Sequence, residues 1–322
     1  TAPNLSYLMD SPIEFGEIAI HSFSIPIRGN DGEQTTIRLA LHELEAIDDP
    51  DEFVGSIRRI VMEERAIFGE LPAFEPGTYT FLADYLPWAD SDAMEHRNSS
   101  VLTSPAPLAF ARSSLLDAVA PEFFHAWNVE RIRPRSLEPF NLTELNVSSD
   151  LWLAEGFTQY YGPLVLTRAG FTSRAQWLAW MAATINEVSQ SPARRARPVT
   201  EMSAMAALVD GAQAADRTTL SNTFLSYYTW GSAIALGLDL TLRDRSNGTR
   251  SLDDLLRLLW HRFGAPGGAV PGVVDRPYTK ADVMAALADV AGDRAFADHF
   301  FRRYIDGLEV PDFVPMLQRA GF

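Results

Sequence analysis

Strand-like alternation is confined to the first third of this chain, and that confinement limits the fold more than any other feature. Up to about residue 110 the pattern is mixed, with runs in steps of two; beyond Ser113 apolar residues recur almost wholly in steps of three and four. Ile18-Ala-Ile-His-Ser-Phe-Ser-Ile-Pro-Ile27, Thr35-Thr-Ile-Arg-Leu-Ala-Leu-His42 and Thr78-Tyr-Thr-Phe-Leu82 alternate as strands do. Between the last two, Asp51 to Phe68 sets Phe53, Ile57, Ile60, Val61 and Ile67 on one helical stripe, with Asp48-Asp-Pro-Asp51 as a capping signal. Helices are expected near 113–128, 150–168, 173–190, 220–243, 251–263, 279–290 and 293–305. Asp150, Thr172 or Ser173, Ser251 and Thr279 mark starts, and Gly162-Pro163 interrupts the second. Ser191–Pro198 and Gly264–Gly272 read as connectors, and no internal repeat is present. A β-rich lobe over 1–110 followed by a helical lobe over 111–322 makes an α+β architecture.

Composition removes several functions. With 27 basic against 42 acidic residues the net charge is −15, which argues against nucleic acid as the main partner. No cysteine means no disulfide, no thiolate–zinc or iron–sulfur site and no cysteine nucleophile. At 47% hydrophobic residues the chain can bury a large core and is not globally disordered. The charge-free stretch Thr218–Leu238 carries Ser221, Asn222, Thr223, Ser226, Thr229 and Ser232, too polar for a lipid-facing helix, so no membrane span is expected. The first residue is Thr1, not Met, which reads as a processed or excised piece.

The segment that carries chemistry is Pro121-Glu-Phe-Phe-His-Ala-Trp-Asn128, followed by Leu151-Trp-Leu-Ala-Glu-Gly-Phe-Thr158. A zinc hydrolase of the HExxH kind needs two imidazoles one helical turn apart, a Glu beside the first as base, and a third ligand from another helix. His125 fits the second ligand, Glu122 the base, and Glu155, thirty positions on, the third ligand. The first ligand position holds Pro121.

Together with Asn128-Val-Glu-Arg-Ile-Arg-Pro134, these segments resemble the glycyl aminopeptidase family of gluzincin metallopeptidases. Asp92-Ala-Met-Glu-His-Arg-Asn-Ser99 is similar to that family's exopeptidase motif, and Ser226-Tyr-Tyr-Thr-Trp-Gly231 to its Tyr-x-Lys-Gly motif. Tyr7-Leu-Met-Asp-Ser-Pro-Ile-Glu14 resembles the join between its amino-terminal β domain and its catalytic domain. The resemblance implies a thermolysin-like two-lobe catalytic domain that uses zinc. It implies His125 and Glu155 as metal ligands, Glu122 as general base, Tyr228 as donor to the oxyanion and Glu95 as holder of the substrate's α-amino group. Three positions depart from the pattern: Pro121 stands for the first His, Trp230 for Lys and Asp92 for Gly.

Proline has no ligating atom and no N–H, and inside a helix it costs about 3 kcal/mol or more unless the helix bends or begins there. Ala120 could end one segment and Pro121 open the next. Zinc is therefore expected to be absent or weakly held, leaving a degenerate, strongly impaired peptidase that still binds peptides with free amino termini. The alternative is an active zinc aminopeptidase releasing small amino-terminal residues such as Gly and Ala. Blander readings cover other residues. His21, His42, His261 and His299 read as ordinary, partly buried histidines, and Glu144 and Asp150 as solvated loop acids. Phe123, Phe124, Trp127, Trp152, Phe157, Tyr160 and Tyr161 read as core around the two motif helices.

Overall fold

Alternation in the first hundred residues builds one five-stranded sheet. The computed structural model of the chain describes residues 2–29, 32–44, 50–209 and 217–322. Among these, strands β1 (Ala19–Pro26), β2 (Gln34–Glu43), β3 (Thr78–Tyr85), β4 (Asp92–His96) and β5 (Ser99–Ser104) lie in the order β1-β2-β3-β5-β4. The outer pairs are antiparallel, whereas β2–β3 and β3–β5 are parallel. A parallel pair needs a crossover, which helix α2 (Asp51–Phe68) supplies between β2 and β3. A short helix α1 (Leu5–Met9) precedes the sheet, capped by the Asn4 side chain. Helices α3 (Leu108–Phe124) and α4 (Leu151–Arg168) carry the two motif segments.

The chain divides into two compact units. The first comprises Thr1–Arg131, Tyr161–Ser173 and Gly267–Asp275; the second comprises Ile132–Tyr160, Arg174–Pro266 and Arg276–Phe322. All five strands belong to the first unit, and α4 contributes Leu151–Tyr160 to the second and its remaining residues to the first.

The core of the first unit follows from period two meeting period 3.6. Tyr79, Phe81, Ala83 and Tyr85 alternate into one buried face of β3. Phe123 of α3 meets Tyr79 at 4.8 Å and Phe81 at 5.7 Å between ring centroids. Phe53 of α2 meets Tyr85 at 6.4 Å, and Phe68 stacks on Trp127 at 4.6 Å. Each such side chain contributes about 1.5–3 kcal/mol by leaving water. Helix α2 ends at Gly69, whose φ of 91° only glycine adopts without strain, and whose N–H closes the helix on the Arg65 carbonyl.

The second unit is helical: α5 (Arg174–Gln190), α6 (Val199–Ala204), α7 (Ala206–Val209), α8 (Arg217–Thr223), α9 (Tyr227–Arg245), α10 (Leu252–Leu259), α11 (Lys280–Ala291), α12 (Arg294–Phe300) and α13 (Phe313–Arg319). Ser251 with Asp254 and Thr279 with Asp282 form capping boxes at α10 and α11, as their sequences lead one to expect. Single π-helical turns, Trp260–Gly264 and Phe301–Ile305, extend α10 and α12. No helix among the described residues is long and apolar enough to cross a membrane.

Several expectations need correction. The hairpin β4–β5 was not among the expected strands; Ser100 and Leu102 of β5 are buried, with β5 paired to β3. The helix expected over 220–243 is two, because Ser226 takes an extended ψ of 130° and caps α9 through its hydroxyl. Gly162-Pro163 does not interrupt α4, which runs through both. Nor does Pro121 open a new segment, for α3 is continuous across it and stops at Phe124, earlier than the expected Asn128. The expected α2 cap falls partly on Asp48 and Asp49, outside the described residues; the helix is preceded by Pro50. His261 and His299 are exposed, whereas all seven aromatics of the motif cluster are buried.

Candidate active site

The motif residues fall into two sets, one in each unit. In the first unit, α3 ends in a tightened turn after Phe124. Ala126 and Trp127 donate to carbonyls three residues back, Phe123 and Phe124, at 3.0 and 3.1 Å. This turn leaves His125 at the helix end, buried, with Nδ1 2.6 Å from the Asn128 carbonyl. Since a carbonyl only accepts, Nδ1 carries the proton, and Nε2 is the nitrogen a ligand would have to use.

Glu95 stands on β4, the edge strand, paired with Ser100. A carboxylate oxygen of Glu95 and a ring nitrogen of His125 lie within 4.8 Å of each other. On α2, Glu64 is fully buried; burial drives its carboxyl well above the ordinary range, and only the charge of His125 pulls it back. The imidazole thus has two carboxyl groups acting on it. Glu122, half-buried, accepts a 3.4 Å bond from the Tyr79 hydroxyl through its backbone carbonyl. Burial pushes the Tyr79 phenol far up, with Glu122, Glu64 and Glu130 adding and the Ser100 hydroxyl opposing, so it stays protonated.

Arg131 gives the run after His125 a physical role. Its buried guanidinium donates to the carbonyls of Ala126, Arg97 and Ala73 at 2.8, 2.8 and 3.2 Å and to Asn98 Oδ1 at 3.1 Å, with Glu75 at 3.5 Å. Ala126 follows His125, and Arg97 and Asn98 turn β4 into β5. One side chain therefore fixes the helix end that bears His125 to the hairpin that bears Glu95. Burial, with Arg97 adding, pulls the Arg131 pKa down to about 10, opposed by Glu75, Glu130 and Tyr79.

Pro121 lies one turn before His125. A Cβ built on Gly162 of α4 would stand 3.4 Å from its Cδ and 3.6 Å from its Cβ, so the ring packs on the glycine at ordinary contact distance. Zinc held by two imidazoles one turn apart does not fit these residues, because Pro121 offers no donor atom.

In the second unit, α4 and α9 touch backbone to backbone. A Cβ on Gly156 would fall 2.4 Å from Gly231 Cα, and one on Gly231 would fall 2.2 Å from the Trp152 carbonyl oxygen. Gly156 follows Glu155, and Tyr228 lies one turn before Gly231 on α9, its N–H donating to the Ser226 hydroxyl at 3.2 Å. Tyr228 is 38% exposed, whereas Trp230 is fully buried. Burial, then the charges of Asp150 and Glu155, push the buried Tyr278 phenol far up. Asp150 is itself buried, not the solvated acid its sequence suggests, and burial raises its pKa. Glu144 is exposed.

Glu64 and Tyr278 were not singled out by sequence reasoning. For Glu64 the signal existed: it follows Ile60 by four and Val61 by three, a carboxylate on an apolar stripe. Tyr278 precedes a helix cap in a loop and gave none.

Residues 114–234 match the family model described as M61 glycyl aminopeptidase. Of the solved structures, an aminopeptidase N family protein of Idiomarina loihiensis is similar at 24% identity, with a TM-score of 0.78, over 95% of this chain and 49% of its own. A mutant M1 zinc metallopeptidase of Deinococcus radiodurans bound to a Tyr-Ser-Ala substrate is 19% identical, with a TM-score of 0.54, over 91% and 53%. Legionella pneumophila aminopeptidase A in complex with aspartic acid is 13% identical, with a TM-score of 0.53, over 91% and 28%. No curated protein matches. The chain spans about half or less of the length of these structures. They share its α+β fold of a small sheet lobe and a helical region, and the chain is a metallo-aminopeptidase-like domain.

Proposed function

We propose that the chain is a glycyl-aminopeptidase-like domain with a degenerate zinc site, which binds peptides by their free amino terminus and hydrolyses them at most in traces. The observation that carries this reading is Pro121: an unbroken α3 places a residue without a donor atom one turn before His125, its ring seated on Gly162. With one protein ligand gone, zinc is weakly held. Glu122 then lacks the activated water it would serve as base, and Tyr228 lacks an oxyanion to meet. Glu155 is the third ligand in this reading; it lies about two turns before Gly162 on the same continuous α4. Glu95 takes the α-ammonium group, and the net charge of −15 draws such cations. Residues 1–110 act as the β-rich lobe and 111–322 as the helical lobe.

Replacing Pro121 by His tests the reading by elemental analysis. Uptake of one zinc per chain more than the parent takes up, lost again when His125→Ala is added, supports it. No additional uptake by Pro121→His means that more than one residue has decayed.

A second reading, an active zinc aminopeptidase releasing Gly or Ala, is favoured by the His125 Nδ1 contact to the Asn128 carbonyl. Ligating imidazoles use just such a bond to fix their tautomer. Chelator-sensitive turnover by the parent chain would select it.

A further inference from the structure

His42 and Asp84 are register partners at the carboxyl ends of parallel β2 and β3, so their side chains leave the same face of the sheet side by side. His42 Nδ1 lies 2.9 Å from Asp84 Oδ1. Glu14, from the segment between α1 and β1, brings Oε1 to 3.3 Å from the same nitrogen. The three donor atoms lie within 4.8 Å of one another. We propose that Glu14, His42 and Asp84 form a divalent-cation site, with zinc as its ligand, that ties the segment preceding β1 onto the sheet.

Distance, charge and burial converge on this assignment. Two ligands about 2.1 Å from a tetrahedral ion stand about 3.4 Å apart, so separations of 2.9 and 3.3 Å need only a small opening to admit one. Two carboxylates and a neutral imidazole offer charge −2 with mixed oxygen and nitrogen donors, which suits a borderline divalent metal. The charged groups that act most strongly on Glu14 are Asp84 and His42. Both Glu14 oxygens are closed off from solvent, the side chain is only 13% exposed, and the groups it meets are the Asp84 carboxyl and the His42 ring. Buried carboxylate oxygens left so are costly, and a cation satisfies both at once. The imidazole is also held in place: a Cβ on Gly16 would fall 3.2 Å from His42 Cε1, so the backbone there packs flat on the ring. The three-residue set shares nothing with His125 or Glu155 and stands or falls independently of the peptidase reading.

The test is titration of the metal-free full chain with zinc chloride, carried out on His125→Ala so that the other imidazole is removed. One zinc per chain is expected, with affinity reduced at least 100-fold by His42→Ala and at least 10-fold by either isosteric change, Glu14→Gln or Asp84→Asn. The thermal midpoint rises with zinc in His125→Ala and stays fixed when His42→Ala is added. Absence of saturable binding, or binding left intact by all three changes, overturns the proposal. The isosteric variants keep it falsifiable even where His42→Ala fails to fold.

Discussion

Helix α4 carries two glycines that receive neighbours in different ways. At Gly156 the backbone of α9 comes so close that a Cβ would overlap Gly231 Cα at 2.4 Å, with backbone on both sides and nothing free to yield. At Gly162 the neighbour is the Pro121 ring, and an added Cβ would meet it at 3.4 Å, an ordinary contact. The first contact requires both glycines, and those glycines belong to the Glu155-Gly156 and Tyr228-to-Gly231 motifs. The second requires no particular residue at either position. The backbone under Glu155 and Tyr228 is thus tightly specified, while the position one turn before His125 tolerates a change. In the proposed reading, a ligand can be lost there without disturbing the fold.

The comparison predicts unequal costs for added bulk. Gly156→Val or Gly231→Val should lose on the order of 5 kcal/mol or prevent folding, because only a shift of helix backbone relieves the overlap. Gly162→Ala should change stability by no more than about 1 kcal/mol, since helix propensity gained offsets a mild contact. Urea denaturation of the three variants measures both, and equal losses at Gly156 and Gly162 would break the distinction. Next in size, Arg131→Met should cost about 3–4 kcal/mol, as removal of one member of a buried ionic network leaves the carbonyls unsatisfied and Glu75 with Arg97 alone. It should also loosen the β4–β5 hairpin, read as faster amide exchange at Arg97 and Asn98.

Pro121→Ala should stabilise the chain by about 1 kcal/mol. It restores an N–H for the Asp117 carbonyl, while the lost ring contact on Gly162 holds the gain below the full proline penalty. The smallest effect concerns pH. Burial raises the Glu75 carboxyl, but Arg131 and Arg97 outweigh it and hold the pKa below the usual range. A depressed folded-state pKa means stability that is present above the ordinary carboxylate pKa and lost as pH falls through the folded value. Glu75→Gln should therefore flatten the acid limb of a stability–pH profile, by about 1 kcal/mol.

How much was legible depended on whether a residue's partner lay nearby in sequence. Thr279 and Ser251 announce helix starts because their capping partners are three residues on. The Ile18–Ile27 and Thr35–His42 strands were readable because each alternates by itself. Ser99–Ser104 was not, since its burial comes from β3 and β4, which local pattern cannot show. The Glu95–His125 approach depends on Arg131 reaching across to the hairpin turn, a contact that no spacing rule contains. His42 passed for an ordinary strand histidine because Asp84 and Glu14 are 42 and 28 positions away. Pro121 could be read as a missing ligand from position alone, but not that α3 would run through it. That outcome depends on tertiary packing, with α4 passing the ring at ordinary contact distance.

The central claim is that loss of one donor at Pro121 has silenced a peptidase whose scaffold is intact. Its most direct test is hydrolysis of glycyl and alanyl anilides by the zinc-supplemented parent chain, with and without a chelator. The account predicts at most a trace rate that the chelator leaves unchanged. Turnover in the usual enzymatic range of about 1–1,000 per second, abolished by the chelator, would contradict it.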